Sequence, residues 1–150
     1  MKPISELIGG RPVHALPAST SVLAAARAMD QHRVGAILVL DESDRLAGIF
    51  TERDLMVRIV VPGRDPGAVT LDEVMTRDLY TATPDERVGE VAGRLQARHI
   101  RHVPVVLDGR VVGILSLRDL LAAHIEHKER EVDHLTSYIQ QPPEAEPPGA

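Results

Sequence analysis

Apolar residues recur along this chain in two alternating rhythms. Val22, Ala26 and Met29, and later Val88, Ala92 and Leu95, fall at three- and four-residue spacing, which gives each segment the single apolar face of an amphipathic helix. Ser19 and Asp85, both good N-cap residues, mark where those helices are expected to start. Short extended segments, 13–16 and 79–82, precede them, and β-rich runs follow at 36–40 with 46–50 and at 103–107 with 111–115. Asp41-Glu42-Ser43-Asp44 is the turn of the first pair; Asp108-Gly109 in the second is a two-residue hairpin signal. A further helix is predicted after Thr51 and again after Ser116.

The two series are copies of one another. The helices and the first β-run of each pair coincide at an offset of 66; after the turns the offset is 65. There Arg45-Leu46-Ala47-Gly48-Ile49-Phe50-Thr51-Glu52-Arg53-Asp54-Leu55-Met56 faces Arg110-Val111-Val112-Gly113-Ile114-Leu115-Ser116-Leu117-Arg118-Asp119-Leu120-Leu121, with six of the twelve pairs identical. The lead-ins Ile4-Ser5-Glu6-Leu7-Ile8 and Leu71-Asp72-Glu73-Val74-Met75 correspond as well. The unit is therefore β-α-β-β-α. A single unit of about 60 residues has a marginal core, whereas two packed together bury their sheets against each other. The expected fold is α/β (α+β), two such repeats packed against each other, with an extended C-terminal helix. Residues 1–61 form repeat 1 with its lead-in, 62–70 a Pro/Gly-rich linker and 71–123 repeat 2. A helical extension over 124–140 follows, then a disordered tail over 141–150 that holds four prolines.

Composition narrows the function classes. The chain of 150 residues has no cysteine, 2% aromatics and a formal net charge of -5. These values argue against disulfide or thiolate chemistry, base-stacking platforms and a broad electrostatic grip on nucleic acid. No apolar run reaches the roughly 18 residues of a membrane span, and residues 1–10 lack the h-region of a secretory leader, so a soluble, cytoplasmic protein is expected. No G-x-S-x-G, P-loop or H-E-x-x-H pattern is present, and no enzyme activity is expected.

The chemical signal is Gly48-Ile49-Phe50-Thr51-Glu52-Arg53-Asp54, echoed by Gly113-Ile114-Leu115-Ser116-Leu117-Arg118-Asp119. A strand ends, a hydroxyl stands at the start of a helix, and a carboxylate follows three positions later. In one copy this reads as a capping box. In two copies it also reads as a nucleotide site, because amides at a helix N-terminus favour phosphate and a carboxylate accepts both ribose hydroxyls. With the runs Val34-Gly35-Ala36-Ile37-Leu38-Val39 and Ile100-Arg101-His102-Val103-Pro104-Val105, the sequence over roughly residues 3–122 resembles a tandem pair of CBS domains. The resemblance implies a Bateman-type regulatory, energy-sensing module. Such a module is a pseudo-twofold pair of repeats with two clefts between the sheets for AMP, ADP, ATP or S-adenosylmethionine, and two pairs commonly associate as a disc-like dimer. It carries the ribose contact to Asp54 and Asp119, the hydroxyl near ribose or phosphate to Thr51 and Ser116, and the adenine or phosphate end to Gly35, Ala36, Arg101 and His102. Pro104 stands beside this last group, and Arg53 and Arg118 on the first helical turn are further phosphate candidates.

The copies are unequal. Arg98-His99-Ile100-Arg101-His102 puts four basic or titratable side chains where the first copy offers Gly35-Ala36 for Arg101-His102, so phosphate-rich ligands are expected to prefer the cleft that uses Arg101 and His102. His99/His102 and His124/His127 fall at i, i+3. A zinc site would need further ligands such as Glu131 or His134, and solvated helix histidines are the preferred reading, with no metal site. Leu117, Leu121, Ile125, Val132, Leu135 and Ile139 line one face of a helix reaching about Gln140, expected to project and pack on a partner subunit, the alternative being an arm that folds back on its own repeat. The reading from sequence is a homodimeric sensor of an adenosine ligand, with no obligatory cofactor, that signals to an unknown, separate effector protein. The alternative is a ligand-free dimeric interaction scaffold.

Overall fold

The computed structural model describes residues 2–140. In chain order it contains α1 (Ser5–Ile8), β1 (Ala15–Pro17), α2 (Val22–His32), β2 (Ala36–Leu40), β3 (Leu46–Thr51) and α3 (Glu52–Leu55), which continues as a π-helical turn over Met56–Val60. After the link come α4 (Leu71–Val74), α5 (Val88–Ala97), β4 (His102–Leu107), β5 (Arg110–Ser116) and α6 (Leu117–Gln140). Repeat 1 forms a sheet of order β1-β2-β3, parallel then antiparallel; repeat 2 forms the antiparallel pair β4-β5. The tail over 141–150 lies outside the described residues.

The hairpins follow from turn chemistry. The Asp41 carboxylate accepts the amides of Ser43 (2.8 Å) and Arg45 (3.0 Å), and Asp44 takes φ 58°. Asp108 and Gly109, at φ 51° and 77°, both adopt the left-handed conformation of a tight two-residue turn.

Two expectations are corrected. The segment 79–82 does not form a strand like β1 but only a bridge from Ala82 to Val105. Prolines are the reason: Leu38 N–H donates to His14 C=O and Ala18 N–H to Leu40 C=O, whereas the matching residues of repeat 2, Pro104 and Pro84, have no N–H to give. The helices also start later than Ser19 and Asp85. Ser21 caps α2, its hydroxyl accepting the Ala24 amide (3.1 Å), and α5 begins after Arg87. Asp85 instead accepts the Thr83 hydroxyl (2.6 Å) in the preceding turn. Ser21 and Arg87 are held extended by bridges to Thr70 and Pro3, each from the other repeat's lead-in.

That exchange organises the core. The sequence division placed each lead-in with the repeat that follows it; in the structure each packs on the opposite repeat. Ile4 enters the cluster of Val88, Val91, Leu95, Val103, Leu115 and Leu120. Leu71, Val74 and Met75 enter that of Val22, Ala25, Met29, Ile37, Val39 and Phe50. A third cluster, Ala36, Leu38 and Ile49 against Leu79, Val111 and Ile114, joins the two sheets. The motif glycines permit the crossing. A Cβ on Gly48 would meet Met75 Sδ at 2.7 Å and Thr76 O at 2.8 Å, and one on Gly113 would meet Ile8 Cγ2 at 2.7 Å.

Gly113→Ala is therefore expected to cost about 1–3 kcal/mol through overpacking, and less in an Ile8→Ala background. Urea denaturation of the four members of that cycle measures the coupling. Strict additivity would mean that the lead-in does not press on Gly113.

Candidate functional site

Between the repeats lies a cleft of about 1110 Å³. Repeat 1 lines it with Gly35, Ala36 and Glu52, and repeat 2 with Arg101, His102, Ser116, Arg118 and Asp119. The main chain holds both walls in matching ways: Glu52 N–H donates to Gly35 C=O (3.0 Å) and Leu117 N–H to Arg101 C=O (2.7 Å). Each helix start is thereby tied to the residue before the first strand of its hairpin.

The two motif aspartates differ sharply in environment. Both close a capping box. Thr51 and Ser116 amides donate to Asp54 and Asp119 Oδ2 (3.0 Å each), and the hydroxyl oxygens accept the aspartate amides in return. Beyond that, Asp54 is enclosed, at 8% exposure. The Thr76 hydroxyl lies 3.2 Å from Oδ1, the Thr51 hydroxyl donates to Oδ2 (3.1 Å), and Arg58 Nε stands 3.6 Å from Oδ1. Arg58 Nη1 also donates to the carbonyls of Val74 (2.7 Å) and Met75 (3.1 Å), locking the crossing lead-in over the carboxylate. In repeat 2 the positions matching Thr76 and Arg58 are Gly9 and Ala123, so the Asp119 side chain keeps 34% of its surface and faces the cleft, with Arg11 Nη1 at 3.2 Å from Oδ2.

Of the residues singled out from sequence, the cleft thus brings together Gly35, Ala36, Arg101, His102, Ser116, Arg118 and Asp119. Thr51, Arg53, Asp54 and Pro104 do not line it. Arg53 is exposed on α3, and Pro104 is buried within β4. Arg98 is taken up by the Tyr80 ring, 5.0 Å from its centroid. Helix α5 ends at Ala97, so His99 and His102 share no helix face. His127 pairs with Glu131 (3.2 Å) on α6, and among the described residues no three His, Cys, Asp or Glu side chains gather as metal ligands.

Sequence reasoning missed Arg11, His14, His32, Arg33 and Glu52, all of which line the cleft. A signal for two of them was present: at the offset of 66, His32-Arg33 matches Arg98-His99 of the basic run in repeat 2. His14 and His32 stack with centroids 4.0 Å apart, in the positions that Tyr80 and Arg98 occupy in the other repeat. Among the described residues, Arg33, Arg101 and Arg118 have no ion-pair partner, which gives the cleft a cationic lining in an acidic chain.

Burial pushes the His102 imidazole below the ordinary histidine range; Glu52 and Asp119 oppose this and Arg101 adds to it. Burial would raise the Asp119 carboxyl, but hydrogen bonds from Ser116 and the Arg11 guanidinium hold it below the usual carboxylate range. Asp119 is one-third exposed, so its contribution to stability is modest.

These repeats, their exchanged lead-ins and the inter-sheet cleft define a CBS-domain pair. The chain belongs to the CBS domain family, whose model matches residues 4–61 and 71–126, and CBS pairs are regulatory modules. It is 36% identical over 124 residues to the mitochondrial CBS domain-containing protein CBSX3 of Arabidopsis thaliana, covering 80% of this chain but only 60% of that relative's length. Among solved structures, the CBS domain pair of protein MJ0100, in complex with 5′-methylthioadenosine and S-adenosyl-L-methionine, superposes with a TM-score of 0.73 at 29% identity, covering 85% of this chain and 98% of that one. A hexameric CBS-CP12 protein from bloom-forming cyanobacteria superposes with a TM-score of 0.72 at 26% identity, covering 80% and 66%. Among the described residues no helix is long and apolar enough to cross a membrane.

Because the lowered His102 favours its neutral form in the folded chain, its contribution to stability is complete above the unfolded value of about 6.5 and is lost as pH falls below it. Wild type is expected to lose more stability than His102→Gln between pH 7.5 and 5.5, measured by urea denaturation. Equal losses would place the imidazole in a solvated setting.

Proposed function

We propose that the chain is a sensor that binds one adenosine-containing, phosphate-bearing ligand per chain in the Asp119 cleft and signals through a change in the fit of the two repeats to a separate partner protein. The observation that carries this reading is the partly exposed Asp119 carboxylate in the same cleft as the guanidiniums of Arg33, Arg101 and Arg118. The Asp119 carboxylate, partly exposed beside Arg11, presents acceptors for ribose hydroxyls, and guanidinium forks suit phosphate. The MJ0100 pair, bound to two adenosine compounds that carry no phosphate, supports the adenosine part of this reading. Asp54 takes the structural role, and the cleft between Gly35-Ala36 and Ser116-Asp119 takes the ligand. No obligatory cofactor and no catalytic step are assigned.

The subunits are proposed to pair through the CBS repeats and α6. Leu120 and Ala123 bury the start of that helix in repeat 2, whereas residues 128–140 are all exposed, Val132 and Leu135 at 61% and Ile139 at 76%. A helix of 24 residues with this apolar face gains by covering it.

Calorimetric titration with AMP, ADP, ATP and S-adenosylmethionine tests the sensor. Binding of a phosphate-bearing ligand at one site per chain is expected, abolished in Asp119→Ala. Asp54→Ala is expected to keep the affinity and lose about 2 kcal/mol of stability or more, because it strips buried partners. Ligand at ten times its dissociation constant adds about 1.4 kcal/mol and raises the melting midpoint. No binding by nucleotide-free protein would favour the scaffold reading. Sedimentation tests assembly: a dimer is expected for wild type and dissociation for Val132→Glu/Leu135→Glu, whereas a wild-type monomer or hexamer would overturn the pairing.

A further inference from the structure

We propose that Arg11 makes this cleft select phosphorylated nucleosides over neutral or cationic ones, by occupying the ribose acceptor until a phosphate draws it away. This rests on the reading of the cleft above and names the charge class of its ligand.

Four guanidiniums line the cleft, and Arg11 alone among them is ion-paired, its Nη1 at 3.2 Å from Asp119 Oδ2. The same Oδ2 accepts the Ser116 amide (3.0 Å). A ribose that engages both carboxylate oxygens must therefore share Oδ2 with Arg11 or displace it.

Arg11 is placed there by the exchanged lead-in. Ile8 wedges against Gly113, the Arg11 amide donates to Ile8 C=O (3.2 Å), and Gly10 turns the chain at φ 74°. The matching residue of the other lead-in is Asp78, so the device exists on one side of the pair only.

A neutral adenosine that takes Asp119 leaves the Arg11 guanidinium without its carboxylate. A sulfonium adenosine adds a second cation to a lining already rich in them. A phosphorylated nucleoside gives Arg11 a bidentate anion in exchange, while Arg33 and Arg101 need no release from a carboxylate before they contribute. The half-exposed side chain, at 51%, leaves Arg11 room for that move.

Calorimetry on full-length wild type, Arg11→Gln and Arg33→Gln with 5′-methylthioadenosine, adenosine and ADP separates the effects. Arg11→Gln is expected to bind the two neutral compounds about twofold to fivefold more tightly, the weight of one half-exposed ion pair, and ADP about tenfold or more weakly. Arg33→Gln, which frees no carboxylate, is expected to weaken ADP without tightening the neutral compounds. Opposite shifts in Arg11→Gln, with thermal melts showing both variants folded, support the proposal. Shifts of the same sign, or none, in protein that binds ADP overturn the role of Arg11 and leave the nucleotide site standing. No binding of any compound by wild type or either variant overturns the nucleotide reading and this inference with it.

Discussion

The exchange of lead-ins between repeats is the constraint on which this molecule depends. Each short helix crosses to the opposite repeat and presses on a motif glycine, Met75 and Thr76 on Gly48, Ile8 on Gly113. A side chain at either glycine would hold the crossing segment off the sheet. Because Ile4 and Leu71 are completely buried where they land, neither repeat has a finished core without its neighbour's lead-in. Each repeat therefore completes the core of the other.

The same exchange makes the two motif aspartates unequal. Whatever follows each crossing helix is delivered over the opposite motif aspartate. One lead-in delivers Thr76, and Arg58 closes over it, so that Asp54 becomes a buried hub binding the halves together. The other delivers Gly9 and then Arg11, so that Asp119 stays partly accessible beside a single guanidinium. Two copies of one motif thus end in a sealed carboxylate and an accessible one through a few residues that lie outside the motif.

Positive charge is concentrated in the cleft. The chain is acidic as a whole, yet the cleft gathers Arg11, Arg33, Arg101 and Arg118 around two carboxylates, Glu52 and Asp119. In a partly desolvated groove such a lining attracts anions more strongly than the net charge suggests. The far end of α6 offers the opposite character, an apolar face flanked by pairs such as Lys128–Glu131 (3.1 Å). The proposed ligand and partner surfaces therefore lie on different chemistry in one small chain.

Periodicity, turn residues and internal duplication made the repeats, the hairpins, the capping boxes and the long last helix legible in the sequence, because each depends on neighbours within a few positions. The family resemblance carried by the repeated motif pointed to Gly35, Ala36, Arg101, His102, Ser116, Arg118 and Asp119, which line the cleft, and equally to Thr51, Arg53, Asp54 and Pro104, which do not. The strand lost at 79–82 was in principle legible too, since Pro84 and Pro104 lack the donors it needs. Only the tertiary structure decided where the lead-ins pack, which aspartate is sealed, and that Arg11 reaches Asp119. Those contacts join residues 22 positions apart at Asp54–Thr76 and about a hundred apart at Arg11–Asp119. No local pattern encodes them, since they follow from burying two incomplete cores against each other.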